Sequence, residues 1–249
     1  VPDRAGGGGQ RVFAVAQIAA SFVLLVGAGL LLKALLTMQA TVPGFEMTQV
    51  LAVNVPSTPL GRTPDQLRNF YTELRRRAAQ LPGVRGVAVG SVVPWRDTST
   101  NPAGDFAFSI EGVPRQDGIP DPAANFRSVS PGFFATLGIP MLAGRDFTED
   151  DRAGSERVVI ISRSLAGKVL PGQEAIGRHL SWTDGRTRFV GINTDPRRII
   201  GVVEDISDEG IGGEPGVTVY HPFAQEAGGG RLFVHAAGDP YALVPSLTK

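Results

Sequence analysis

The longest apolar stretch of the chain covers residues 12–32 and contains no formal charge. A helix of these 21 residues is about 31 Å long, close to the roughly 30 Å hydrocarbon core of a bilayer. Uncharged runs of this length are rare in the core helices of soluble domains. A cleaved signal peptide has a shorter apolar core and ends in a small-x-small site, which Met38-Gln39-Ala40 does not provide. The pattern therefore predicts one transmembrane helix.

The charges that flank this helix predict its orientation. Arg4 and Arg11 precede it, whereas only Lys33 lies near its far end. The positive-inside rule then places the N-terminus in the cytoplasm and the chain after Lys33 outside it. Residues 1–11, with their run of four glycines, are expected to be a flexible cytoplasmic linker. Because the chain begins without an initiator methionine, we expect it to be part of a longer protein.

The predicted transmembrane helix has two unlike sides when its residues are placed about 100° apart. Bulky residues fall on one side: Val12, Val15, Phe22, Val26 and Leu30. Small and weakly polar residues fall on the other: Ala16, Gln17, Ala20, Ser21, Gly27 and Ala28. Such a stripe lets another helix approach closely and form hydrogen bonds, so we interpret it as a packing face for further membrane helices. Chance clustering in a segment rich in alanine and glycine is the alternative.

The apolar pattern does not stop at the end of the membrane segment. It continues through three residues of a predicted helical stalk, Leu35, Leu36 and Met38, and ends at Pro43-Gly44. Residues 33–46 are therefore expected to form a stalk and turn. If the protein transmits motion, these three residues lie in the segment that couples the membrane to the domain.

After the stalk, the pattern alternates between short strands and helices and predicts an α+β fold. The clearest helix begins at Thr63, which can cap it, with Pro64 at the first helical position and Gln66 completing a capping box. Strands are predicted at 51–55, 84–93, 106–111, 158–162, 179–182, 189–192, 199–203, 217–221 and 232–236. Short helices are predicted at 130–138, 165–170 and 241–246.

Composition narrows the possible functions. Lys+Arg and Asp+Glu both number 24, so no net field attracts nucleic acid. The chain contains no cysteine, which excludes disulfides, zinc-thiolate sites and cysteine nucleophiles. No phosphate-binding loop and no nucleophile elbow is present in the sequence. We therefore predict no catalytic residues, no cofactor and no nucleic-acid partner.

The remaining polar residues have simple structural interpretations. His179, His221 and His235 are scattered and lack metal-ligand spacing. One acidic cluster, formed by Asp146, Glu149, Asp150 and Asp151, is expected to begin a helical turn. A second, formed by Glu204, Asp205, Asp208 and Glu209, suits the solvated tip of a hairpin, although a carboxylate pair for glycoside hydrolysis is conceivable. Arg75, Arg76 and Arg77 are expected on the wet side of their helix.

Several segments together resemble a known family. They include AQIAASFVLLVGAGLLLKALL (16–36), VPGF (42–45), LPGVRGVAVGSVVP (81–94), SVSPGFFATLGIPMLAGRDFTEDDRAG (128–154), VVIISRSLAGKVLPGQEAIGR (158–178), RRIIGVVEDI (197–206), VYHPFAQ (219–225) and AAGDPYALVPSL (236–247). In order and spacing they resemble ABC-transporter permeases with a MacB-like periplasmic core domain and FtsX-like membrane helices. The opening helix and linker look most like the second half of duplicated acidobacterial permeases. His221 and His235 depart from the family pattern, which leads us to expect an apolar and a basic residue there.

The resemblance implies a bacterial inner-membrane protein whose chain after about residue 33 is periplasmic. It implies a porter-like subdomain from residues 47–128 together with 214–249, and an inserted mixed α/β subdomain at 129–213. The implied partners are a cytoplasmic ABC ATPase, further permease helices or a second permease half, the lipid bilayer and a periplasmic adaptor. Two other classes stay open at this point: a membrane-anchored sensor ectodomain and a membrane-tethered hydrolase.

Overall fold

A computed structural model describes residues 7–40, 48–55, 63–94, 96–97, 105–115, 118–206, 216–226 and 230–247. The chain divides into two compact units, Val1–Val42 and Pro43–Lys249. The first contains one helix, and the second contains a mixed α+β domain. The predicted class, an α+β fold preceded by one apolar helix, is confirmed.

The helix of the first unit, α1, runs without interruption over Gly7–Ala40. It therefore includes residues 7–10, which the glycine run led us to expect as flexible linker. Extending an existing helix by a residue is far easier than nucleating one, so a long apolar helix can recruit weak helix formers at its start. The stretch of α1 long and apolar enough to cross a membrane is Val12–Leu36, four residues longer than predicted.

The described residues of the second unit form ten strands: β1 Val50–Asn54, β2 Val84–Gly90, β3 Asp105–Ile110, β4 Ala123–Val129, β5 Met141–Gly144, β6 Val158–Ser162, β7 His179–Trp182, β8 Arg197–Val203, β9 Thr218–Pro222 and β10 Arg231–Ala236. Four α-helices accompany them: α2 Pro64–Ala79, α3 Phe133–Thr136, α4 Arg163–Val169 and α5 Val244–Leu247. Short 3₁₀ helices cover Gly185–Val190 and Pro240–Leu243. Strands β4 and β5 were not predicted from the sequence.

The predicted strand at 189–192 is wrong. Residues up to Val190 belong to a 3₁₀ helix, which Asp184 caps by accepting a hydrogen bond from the Arg186 N–H at 2.8 Å. Gly191 ends it in the left-handed conformation, at a φ of 75°. The local hydrogen bonds of an aspartate and the freedom of a glycine thus outweigh the strand preference of Phe189 and Val190.

Helix α2 confirms the capping box. Thr63 Oγ1 accepts from the Gln66 N–H at 3.3 Å, and Gln66 Oε1 accepts from the Thr63 N–H at 2.9 Å. The buried face of the helix includes Tyr71, whose hydroxyl accepts from the Gly230 N–H at 2.8 Å. This side chain therefore ties α2 to the residue immediately before β10.

The strands at one end of the sheet form the unit that α2 covers. β10 pairs antiparallel with β1 on one side and with β2 on the other. Consequently β1 and β2, which α2 connects, are parallel with β10 between them. The strand–helix–strand unit predicted from the sequence is present, with a strand from the far end of the chain inserted into it.

Six of the other seven strands close into a ring, and the seventh, β5, pairs antiparallel with β8 outside it. Antiparallel pairs join β4 to β3, β3 to β7, β7 to β8 and β6 to β9, whereas β8–β6 and β9–β4 are parallel. The ring order is therefore β4-β3-β7-β8-β6-β9 and back to β4. Closure makes this part of the sheet a small barrel, in which no ring strand has a free edge over its whole length.

Alternate residues of the ring strands form one buried apolar cluster, as expected for the filled interior of a small barrel. Trp182 lies at its centre, with ring centroids 5.9 Å from Phe106, 6.2 Å from Phe108 and 6.1 Å from Phe126. Leu165 of α4 packs into the same cluster. Aromatic contacts, edge-to-face for Phe106 and Phe108 and tilted for Phe126, therefore fill the interior of the barrel.

The barrel combines strands from both predicted subdomains. β3, β4 and β9 come from the segments predicted as porter-like, and β6, β7 and β8 come from the segment predicted as the insertion. The division into two subdomains stays a prediction.

We predict that residues 47–249, expressed without α1, form a soluble folded domain. The reason is that this region has its own closed barrel and three buried apolar clusters. Size-exclusion chromatography and cooperative urea unfolding check this expectation. A fragment that aggregates, or needs detergent to stay in solution, would contradict it.

Candidate functional site

The predicted packing face lies on α1, and most of its residues are exposed. Of its six residues, Gly27 is half-buried and the other five are exposed within the described chain. The helical geometry also places Phe13, Leu24 and Leu31 within the same sector, at about 60–80° from Ala16. These three bulky side chains therefore interrupt the stripe of small residues, and the face predicted from the sequence did not include them. Its role in helix packing stays a prediction.

The stalk residues lie on the same uninterrupted helix. The side chains of Leu35 and Leu36 are 50% and 57% exposed. Met38 falls within α1, but its side chain lies outside the described ones. Helical backbone continues past Leu36 as far as Ala40, so the helix is longer than the membrane-spanning stretch.

The first acidic cluster stabilises a loop. Asp151 accepts two hydrogen bonds from Arg145, at 2.7 and 2.9 Å, and one from the Thr148 N–H at 2.8 Å. Burial acts to raise the pKa of Asp151, but these hydrogen bonds outweigh it and lower the pKa below its usual value. The expected helical turn is a simple hydrogen-bonded turn, because the Asp151 N–H donates to the Thr148 carbonyl and residues 152–157 do not continue it as a helix.

The described residues of the second acidic cluster, Glu204 and Asp205, also stabilise the fold. Asp205 is buried and accepts from the Ser164 N–H at 2.8 Å, near the start of α4. Arg163 forms ion pairs with Glu204 at 3.0 Å and with Asp205 at 3.4 Å. The expected solvated hairpin tip is therefore wrong for Asp205, and residues 208 and 209 lie outside the described residues.

The three histidines occupy three unrelated environments. His179 Nδ1 lies 2.7 Å from Glu111 Oε2 at the surface, and His235 Nε2 lies 3.4 Å from Gln49 Oε1. His221 is fully buried and stacks on Phe126 with ring centroids 4.2 Å apart. Within the described ranges, no group of three or more histidines, aspartates or glutamates could hold a metal ion.

A buried ion pair lies beside His221, and sequence reasoning did not find it. Arg197, which is 1% exposed, donates from Nη2 to Glu226 Oε1 at 2.6 Å. Arg157 donates to the same oxygen at 3.1 Å. Burial lowers the pKa of Arg197, although the hydrogen bond to Glu226 opposes that effect. Glu226 thus joins the turn after β9 to the starts of β6 and β8 and holds one end of the barrel closed.

The described residues thus contain one helix long and apolar enough to cross a membrane and, in the second unit, a closed six-stranded barrel with side-chain clusters that stabilise the fold. The sequence model for the MacB-like periplasmic core domain matches residues 12–241. The chain belongs to this family. The resemblance drawn from the sequence segments is thereby confirmed.

Individual relatives agree with this assignment. The chain is 29% identical over 116 residues to the macrolide export ATP-binding/permease protein MacB of Aggregatibacter actinomycetemcomitans, a match covering 44% of this chain and 16% of the relative. It therefore spans a small part of that relative's length. The crystal structure of the periplasmic region of MacB from Actinobacillus actinomycetemcomitans aligns over 85% of this chain and 86% of that one, with 17% identity and a TM-score of 0.51. This likeness shows a shared fold.

We predict that His221 makes the domain sensitive to acid. Burial, with a smaller contribution from the charges of Arg197 and Arg157, lowers the pKa of His221 well below 6.5. A lowered folded-state pKa means that the unfolded chain binds the proton first as the pH falls. The stabilisation is therefore complete above pH 6.5 and is lost below it, by about 1.4 kcal/mol per pH unit.

His221→Phe should preserve the stacking and remove this dependence. Between pH 7 and pH 5, we expect the free energy of unfolding of the wild-type fragment 47–249 to fall by about 2 kcal/mol more than that of the variant. Urea unfolding at several pH values measures the difference, with His235→Phe as the control for losing an imidazole. Parallel pH profiles for wild type and His221→Phe would show the prediction to be wrong.

Proposed function

We propose that the chain is a permease segment of an ABC transporter, in which an extracytoplasmic domain couples ATP-driven motion to export or to other extracytoplasmic work. The family match from residue 12 to residue 241 carries this proposal, because it includes both α1 and the domain. The relative's name describes a protein that exports macrolides and contains both ATP-binding and permease parts. This chain corresponds to the permease side of such a protein.

The continuity of α1 supports a mechanical role. Its 34 residues make a helix about 51 Å long, of which about 30 Å suffices to cross the hydrocarbon core. The remainder is helical backbone rather than a flexible tether. A helix resists bending over this length, so displacement of its membrane part can reach the chain that follows. In this proposal Leu35, Leu36 and Met38 belong to the coupling segment.

The proposal assigns ATP hydrolysis to a separate cytoplasmic ATPase subunit or domain and gives this chain no catalytic role. The sequence contains no phosphate-binding loop, which agrees with that assignment. The stripe from Ala16 to Ala28 would contact further permease helices or a second permease half. The chain after about residue 33 would lie on the periplasmic side of the inner membrane, accessible to an adaptor protein.

We predict that Leu35→Pro uncouples transport from ATP hydrolysis. Proline at this position removes the backbone hydrogen bond to residue 31 and clashes with the preceding turn, at a local cost of about 3 kcal/mol. Membrane insertion and subunit assembly should be normal, and ATP turnover should persist or lose its regulation. Transport should be lost, measured first as resistance to a macrolide because the relative exports this class.

Leu35→Ala is the matched control, since it shortens the same side chain but preserves the helix. It should transport like the wild type. ATPase activity and transport are measured together for both variants in the intact transporter. If Leu35→Pro transports as well as the wild type, α1 is an anchor and the mechanical proposal is wrong.

A further inference from the structure

A groove of about 570 Å³ lies at one end of the barrel, where the segment after β3 faces the end of α4. Its volume is within the range of about 300–1,000 Å³ that is typical of small-molecule sites. The buried side chains of Phe108 and Ile110 line it, and Val113 and Val169 extend the apolar surface. Ile119, which is 62% exposed, lies on its rim.

Four prolines line the same groove: Pro114, Pro120, Pro122 and Pro171. Proline has no backbone N–H and a fixed φ, so these residues offer apolar contact without competing donors and limit the freedom of the walls. A groove whose walls are already ordered loses little conformational entropy when it is filled. The site is therefore suited to the apolar part of a small ligand.

The positive and negative charges that line the groove do not cancel. Asp121 accepts a hydrogen bond from the Thr183 hydroxyl at 2.7 Å and pairs with Arg115 at 3.0 Å, so its charge is compensated. Lys168, in the last turn of α4, has no ion-pair partner within the part of the chain that the structure describes. One uncompensated positive charge thus remains beside the apolar surface.

A hydrogen-bond donor accompanies this charge. Gln173 also lines the groove, and its Oε1 accepts from Arg178 Nη2 at 2.9 Å. Because the amide oxygen is engaged, the amide nitrogen of Gln173 is the group left to donate to a ligand. An ammonium and an amide N–H that both line the groove suit an anionic head group.

We propose that this groove binds a small amphipathic organic anion, with its acid group against Lys168 and Gln173 and its apolar body against Val113, Ile119 and Val169. Carboxylates and sulfonates both fit, since each presents oxygens to the same two donors. The site is independent of the coupling role proposed for α1.

The test uses the full chain in nanodiscs of neutral lipid and a soluble probe, naphthalene-2-sulfonate, with the cation 2-naphthylmethylammonium as its counterpart. Binding is measured by calorimetry at physiological salt, with empty nanodiscs as the reference. We expect the anion to bind more tightly than the cation. Lys168→Ala should weaken anion binding by about two- to fivefold, the range of one exposed ion pair. Arg152→Ala removes an exposed cation that does not line the groove and should leave binding unchanged.

Ile119→Asp provides a second variant at the exposed rim, where a change in folding is not expected. It should weaken the anion further by placing a like charge beside its apolar body. Equal binding of the two probes, no binding of the anion at about 10 mM, or an unchanged affinity in Lys168→Ala would each overturn the proposal. Weaker anion binding in both variants, with an unchanged control, supports it.

Discussion

The parallel pairing of β4 with β9 is the constraint on which the rest of the second unit depends. Five residue pairs, from Asn125–Thr218 to Val129–Pro222, close the six-stranded ring. Strand β4 also pairs with β2 through Gly90 and Val129, so the same strand belongs to the barrel and to the part of the sheet that α2 covers. Without this pairing, the aromatic interior around Trp182 and the ion pair of Arg197 would open to water.

Local signals made much of the secondary structure predictable. Helix α2 follows from its capping box and its apolar period, and α1 follows from its length and lack of charge. The ring did not follow, because its closing pairs lie more than ninety residues apart in sequence. Strand β4 was missed since it comes directly after a stretch rich in proline and glycine. The ion pair of Arg197 and Glu226 depends on the same long-range closure and has no local signature.

Physical chemistry and family membership support the same functional picture. The apolar surface of α1 is exposed within the described chain and needs lipid or other helices to cover it, whereas the polar clusters of the second unit stabilise loops and barrel ends. Membership in the MacB-like periplasmic core domain family supports a permease component, and mechanical coupling through α1 is our proposal.

In the proposed function, α1 places the barrel on the side of the membrane opposite the ATPase. The absence of cysteine makes this testable with single substitutions, Asp3→Cys before the helix and Arg152→Cys on the surface of the domain. In spheroplasts, a membrane-impermeant maleimide should label Cys at position 152 at once and Cys at position 3 only after the membrane is permeabilised. The reverse order of labelling, or equal labelling of both positions before permeabilisation, would contradict the account.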